Sequence, residues 1–281
     1  MSGPPLAGAR CRMPRMTPPP HELPTPAPGP QRRVVLAALA AALWPGVSQA
    51  DLVAVVARAR PSVVAVGTYD ALASPRFTFR GTGFVVGDGR QVVTNFHVLP
   101  ADGSPPPKVV VMLPGTKAGG PELREVSASA TEPGYDLAVL TLQGSPLPAL
   151  AMAAPAPVPD GLSVAMIGFP LGAALGLTPV THRGIVAATT AIALPPPTTQ
   201  QLDAKTLARL RQGAFEVFQL DATAYPGNSG SPLLDATTGE VLGVVNMVFV
   251  KGTKESALSA PSGISYAIPI RHVQAMLGAG R

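Results

Sequence analysis

The stretch Tyr225-Pro226-Gly227-Asn228-Ser229-Gly230-Ser231-Pro232 sets a serine among residues that give its backbone unusual freedom. A serine hydroxyl is a poor nucleophile at neutral pH. It needs a base to take its proton, and donors to hold the oxyanion that forms when it attacks a carbonyl. Glycine accepts positive φ angles and lets a substrate approach the main chain closely. The N–H groups of Gly227 and Ser229, with Asn228 between them, can therefore converge beside the Ser229 hydroxyl as an oxyanion hole. Pro226 stiffens the entry to the turn. The same residues also make an ordinary surface turn, so the choice rests on whether the chain supplies a base and an acid to orient it.

Beyond residue 50 the histidines are His97, His182 and His272. His182 lies in a turn pattern before Gly184 and His272 on a terminal helical pattern, and both read as structural. His97 follows the apolar run Val92-Val93-Thr94, and a strand end is where a rigid scaffold presents a side chain. The candidate acid is Asp136, directly before the apolar run Leu137–Leu142. A carboxylate half buried there needs a partner, and an imidazole N–H is a suitable one. Standing alone, Asp136 reads equally as a turn residue at a strand start.

The elements that must hold these residues are short β runs bounded by Gly, Pro and Asp. Ser62–Tyr69, Phe77–Arg80, Gly83–Val86, Gln91–Thr94, Lys108–Leu113 and Leu137–Leu142 form a first set. After a proline-heavy linker, Pro146–Pro159, come Ser163–Gly168, Gly184–Ala188, Ala214–Leu220, Pro232–Leu234, Val241–Val250 and Gly263–Ala267. Two such sets predict two β-barrels, over 51–150 and 151–281. Helices are expected at Leu52–Arg60, which Pro61 ends, and from Pro269 to Leu277, with Gly278 as the stop.

Composition narrows the function. Of 281 residues, 46% are apolar and 13% charged, which excludes a disordered chain. The formal charge of +5 belongs almost wholly to residues 1–50. These hold five arginines against one glutamate, leaving sixteen cations against fifteen carboxylates in the body. A nucleic-acid partner is therefore not expected. Residues 1–30 are rich in proline and arginine. Arg32-Arg33, an apolar run from Val34 to Val47 and the small residues of Ser48-Gln49-Ala50 make a secretory signal with cleavage near Ala50. The run of fourteen residues is too short for a comfortable membrane span, so an exported chain without stable membrane insertion is expected. Cys11, in the leader, is the only cysteine, so the body has neither a disulfide nor a thiolate nucleophile.

The order His97, Asp136, Ser229, with its flanking motifs, resembles the trypsin-like serine peptidases of the HtrA/Deg type. The motifs are Gly81-Thr82-Gly83-Phe84-Val85-Val86, Val93-Thr94-Asn95-Phe96-His97-Val98, Tyr135-Asp136-Leu137-Ala138-Val139-Leu140, Gly184-Ile185-Val186, Pro226 to Pro232 and Gly263 to Pro269. The resemblance implies an all-β fold of two six-stranded antiparallel barrels with short flanking helices. It implies His97, Asp136 and Ser229 as the catalytic residues, acting on polypeptides without a metal or organic cofactor. It places Thr223, Ala224 and Tyr225 at the base of the substrate pocket and the strand Val244-Val245-Asn246 as its wall. Thr223 stands where relatives that cut after Arg or Lys carry an acid, and Asp221 falls outside the pocket, so cleavage after small or medium aliphatic residues is expected. Homo-oligomers are compatible with it.

The chain departs from the family pattern in places. About a dozen residues follow Pro269, so the customary PDZ domain is not expected. Ser231 replaces a glycine. The segment Pro195–Gly213 is longer than its counterpart. In it Asp203 can cap a short helix carrying Ala204, Leu207, Ala208 and Leu210, as a surface excursion or as a lid beside the site. The alternative function is a peptide-binding or chaperone-like module with latent or weak protease activity.

Overall fold

A computed structural model describes residues 52–100, 107–113, 121–172, 176–192, 215–246 and 263–279. The leader, the whole Pro195–Gly213 insertion with its expected helix and lid, and the continuation of the Val241 strand past Asn246 lie outside the described residues. Helix α1 (Leu52–Ala59) leads into β1 (Val63–Tyr69), β2 (Phe77–Val86), β3 (Gln91–Asn95), β4 (Lys108–Leu113), β5 (Glu122–Glu132) and β6 (Leu137–Leu142). Then come β7 (Ser163–Gly168), β8 (Val180–Ile192), β9 (Phe215–Asp221), β10 (Pro232–Asp235), β11 (Val241–Asn246), β12 (Ile264–Pro269) and helix α2 (Arg271–Ala279). Among the described residues no helix is long and apolar enough to cross a membrane.

The strands close two antiparallel barrels, in the orders β1-β2-β3-β6-β5-β4 and β10-β11-β12-β9-β8-β7. Closure comes from β1 against β4, with Val66 opposite Val111, and from β10 against β7, with Leu233 opposite Met166. Successive side chains of a strand point to opposite faces, and here both faces are buried. In β1, Val64 and Val66 fill the first barrel while Val63 and Ala65 join the seam between the barrels. In β3, Val92 points inward and Val93 into the seam; in β6, Leu140 and Leu142 point inward and Leu137 and Val139 into the seam. This is why these strands read as unbroken apolar runs and not as alternating ones.

Two differences from the sequence reading have plain causes. Phe77–Arg80 and Gly83–Val86 are one strand, bent where the pairing shifts between Val66 and Gly67 of β1. β5 was not foreseen: nearly all its residues face solvent to some degree, so it lacks the apolar alternation by which a strand is recognised. It is held by its neighbours, with Arg124 opposite Val111 and Ser129 opposite Leu140.

Candidate active site

The acid and base of the sequence reading meet at the seam. β3 ends in a one-turn 3-10 helix, Phe96–Val98, that carries His97. Arg80 on β2 holds the far side of that turn, donating from Nε to Val98 O (2.6 Å) and from the guanidinium to Leu99 O (3.1 Å). Asp136 follows a second 3-10 turn, Pro133–Tyr135, and adopts a left-handed conformation, φ 53°, which aspartate tolerates better than most residues. The two turns grip each other. The Asp136 carbonyl accepts from Phe96 N–H (3.0 Å) and from Asn95 Nδ2 (3.0 Å).

The Asp136 carboxylate is consequently aimed. Oδ1 accepts the backbone N–H of His97 at 2.9 Å, and Oδ2 accepts from His97 Nδ1 at 2.6 Å. Oδ2 also accepts from Asn246 Nδ2 at 2.7 Å, a bond that crosses from the second barrel. An ionised carboxylate only accepts, so the facing imidazole proton is assigned to Nδ1. In the neutral ring this leaves Nε2 with a lone pair for a proton. The Asp136 side chain is 10% exposed and that of His97 30%, so the ring reaches solvent while its partner is sheltered.

Ser229 lies on the loop between β9 and β10. Gly227 and Gly230 have φ of 103° and 85°. A Cβ on Gly227 would fall 2.3 Å from Phe169 O, and one on Gly230 2.0 Å from Thr82 O. Both positions therefore demand glycine by conformation and by space. Asn228 N–H donates to Tyr225 O (2.9 Å) and Gly230 N–H to Val245 O (2.9 Å). The N–H groups of Gly227 and Ser229 have no partner among the described residues and can take an oxyanion. Asn228, included in the expected oxyanion hole, is thereby corrected: its N–H closes the turn. Val98, adjoining His97, and Ser229 both flank Gly81, where a Cβ would meet Val98 Cγ2 at 2.6 Å and Ser229 O at 3.1 Å. Ser229 Oγ itself makes no hydrogen bond with another described residue, as is common before substrate binds.

The expected pocket residues divide. Thr223 and Tyr225 are half-buried and Ala224 is buried, on the segment leading to the nucleophile loop. Val244 and Val245 do not form an open wall. Val244 packs in the seam, Val245 in the second barrel, and both are fully buried. At Val244 their strand pairs with β10 on one side and β12 on the other, so Val244 offers no free edge to a peptide. Met247 and Val248, which continue the expected wall, lie outside the described residues. Asn246, expected at the wall, turns its amide to Asp136. The sequence signal for this was available: an asparagine closing an otherwise apolar buried strand needs a polar partner. Asp221 is exposed, between Ile185 and Ile264 in the sheet.

The other two histidines lie against aromatic rings, and His182, expected in a turn, lies on β8 opposite Met166. The His272 ring lies 4.0 Å from that of Tyr135, beside Asp136. The His182 ring lies 5.8 Å from that of Tyr225. Burial pushes the His182 pKa below the usual 6.5, because the charged ring would lose its hydration. Above pH 6.5 the ring is neutral folded or unfolded, and its contribution to stability is flat. As pH falls through 6.5 toward the folded value, the unfolded chain takes up the proton first and stability drops. Denaturant midpoints measured between pH 8 and pH 5 should therefore fall less in His182→Gln than in the wild type. Parallel curves would show that His182 does not carry this dependence.

Comparison with known proteins follows the same lines. A family model described as a trypsin-like peptidase domain matches residues 81–244. Serine protease HTRA2, mitochondrial, from Bos taurus is 33% identical over 201 residues, covering 71% of this chain and 36% of that protein. The probable periplasmic serine endoprotease DegP-like of Chlamydia trachomatis is 32% identical over 196 residues, covering 69% of this chain and 32% of that one. The chain thus spans roughly a third of the length of these relatives. In fold it is similar to the active form of the Rv3671c protease from M. tuberculosis, with a TM-score of 0.59 at 24% identity, covering 80% of this chain and 82% of that one.

Proposed function

Since the chain belongs to the trypsin-like peptidase family, as a serine protease of the HtrA type, we propose that it is an exported endopeptidase. It would cut polypeptides with Ser229 as nucleophile, His97 as base and Asp136 as the group that orients the base. The observation that carries this reading is the double grip of the Asp136 carboxylate on the His97 backbone and ring, beside a loop whose Gly227 and Ser229 N–H groups have no partner among the described residues. Ser229 Oγ bonds to the substrate carbonyl carbon as its proton passes to His97 Nε2. The oxyanion rests on the two free N–H groups. The C–N bond then breaks, the amine leaves with the proton from His97, and water drawn in by the same nitrogen hydrolyses the acyl-enzyme. Export is supported by the leader pattern and by the periplasmic relative.

For the substrate we favour small or medium aliphatic residues before the cut, in chains that can lie extended. Thr223 and the buried Ala224 bring no charge to the pocket segment, and the exposed Asp221 sits in the outer row of the sheet. A buried Arg or Lys without a partner costs several kcal/mol, whereas an aliphatic group gains about 25 cal/mol per Å² buried. That Ser229 Oγ makes no hydrogen bond among the described residues favours a second reading, a peptide-binding module with latent activity. A fluorophosphonate probe decides between them. Labelling of the wild type that vanishes in Ser229→Ala establishes the protease, and an unlabelled wild type leaves the binding module. In a peptide-library profile, a dominant Arg or Lys before the cut would overturn the aliphatic pocket.

A further inference from the structure

Thr82 is a residue of the first barrel whose every polar group is spent at the heart of the site. It lies on β2, opposite Ala65 of β1, and is fully buried. Its N–H donates to Ser229 O at 2.9 Å. Its carbonyl accepts from Thr94 Oγ1 at 2.7 Å. Its hydroxyl makes two bonds: it lies 2.7 Å from Gly227 O and 3.1 Å from Phe169 N. The direction of that hydroxyl is forced. A backbone N–H only donates, so Phe169 takes a lone pair of Oγ1. A carbonyl only accepts, so the hydroxyl proton goes to Gly227 O.

The consequence falls on the loop that presents the oxyanion donors, where Thr82 holds the peptides that follow Gly227 and Ser229 and so adjoin the ones carrying their N–H groups. Thr82 holds two carbonyls of the nucleophile loop, Gly227 O and Ser229 O, and the residues between them carry the nucleophile. The preceding carbonyl, Pro226 O, is held by Leu171 N–H at 2.7 Å. Gly227 therefore has both of its flanking peptides pinned, and its N–H can point in one direction only. Glycine at φ 103° has no side chain to resist rotation. The Gly227–Asn228 peptide is held by Asn228 N–H on Tyr225 O and by the Thr82 hydroxyl on Gly227 O, so losing the hydroxyl leaves its carbonyl end without a hold among the described residues. Gly168, where a Cβ would fall 3.0 Å from Thr82 Oγ1 and 2.1 Å from Ser231 Oγ, leaves room for this polar cluster beneath the loop.

We propose that Thr82 is a positioning residue for the oxyanion hole, fixing the direction of the Gly227 N–H from the neighbouring barrel through its hydroxyl bond to Gly227 O. The inference rests on the protease reading above. It is distinct from the acid–base pair, because Thr82 has no hydrogen bond to His97 or Asp136.

The test is Thr82→Val, which keeps the shape and removes the hydroxyl, beside Thr82→Ser, which keeps the oxygen. Each is assayed on a peptide substrate and with two inhibitors, a peptide boronate that bonds to Ser229 and a product-like peptide that does not. In Thr82→Val, kcat should fall by about 10²-fold, the scale of losing one oxyanion donor, with KM little changed. Boronate affinity should fall with kcat while product-peptide affinity stays. Thr82→Ser should recover most of kcat. If Thr82→Val fails to melt cooperatively, Thr82→Ala removes the same oxygen without an added apolar contact and is assayed instead. Wild-type kcat in the hydroxyl-free variant overturns the inference, as does a loss in Thr82→Ser as large as in Thr82→Val. A wild type inert to fluorophosphonate would instead strike at the protease reading itself.

Discussion

Ser229→Ala is expected to lower kcat by about six orders of magnitude, and adding His97→Ala should lower it hardly further. Residues that act as one unit lose their effect together. The fold should survive the first change. Ser229 Oγ has no partner among the described residues, so removing it strands no buried donor or acceptor. His97→Ala keeps the residue 97 N–H that Asp136 Oδ1 accepts, so the two turns stay joined. Single-turnover rates for both single variants and the double variant, with melting curves alongside, provide the measurement. A double variant far slower than either single one would mean that Ser229 and His97 do not share a step.

Asp136→Asn should cost about four orders of magnitude in kcat while leaving the site's shape intact. All three hydrogen bonds to this carboxylate come from donors: His97 N–H, His97 Nδ1 and Asn246 Nδ2. An amide has a single acceptor oxygen, so its NH2 must face at least one of them. With the oxygen on the backbone N–H, the NH2 opposes both His97 Nδ1 and Asn246. The imidazole can relieve the clash by moving its proton to Nε2, where Ser229 needs a lone pair. Nitrogen chemical shifts of the His97 ring should report the exchanged tautomer. A variant with wild-type kcat would show that the aspartate does no more than close the turn.

Much of the site could be read because its signals are local. Gly227 and Gly230 announce a loop with positive φ. His97 at a strand end and Asp136 at a strand start are set by the residues on either side of them. The two-barrel class followed from short apolar runs between turn residues, since a strand buried on both faces must be apolar along its whole length.

The partners of these residues were not legible in the same way. Asn246 read as part of a pocket wall because the family resemblance put its strand there. It became a support for Asp136 because the barrels bring residues 110 apart in sequence to 2.7 Å. Thr82 read as one letter of a glycine motif, and its hydroxyl found Gly227 only across the seam, 145 residues away. β5 is held by the strands on either side and not by its own pattern. Residue types and spacing specify what each segment can do with its neighbours along the chain. Hydrogen bonds between distant segments depend on which carbonyls and amides the packed barrels leave facing each other, and that is settled when the core closes.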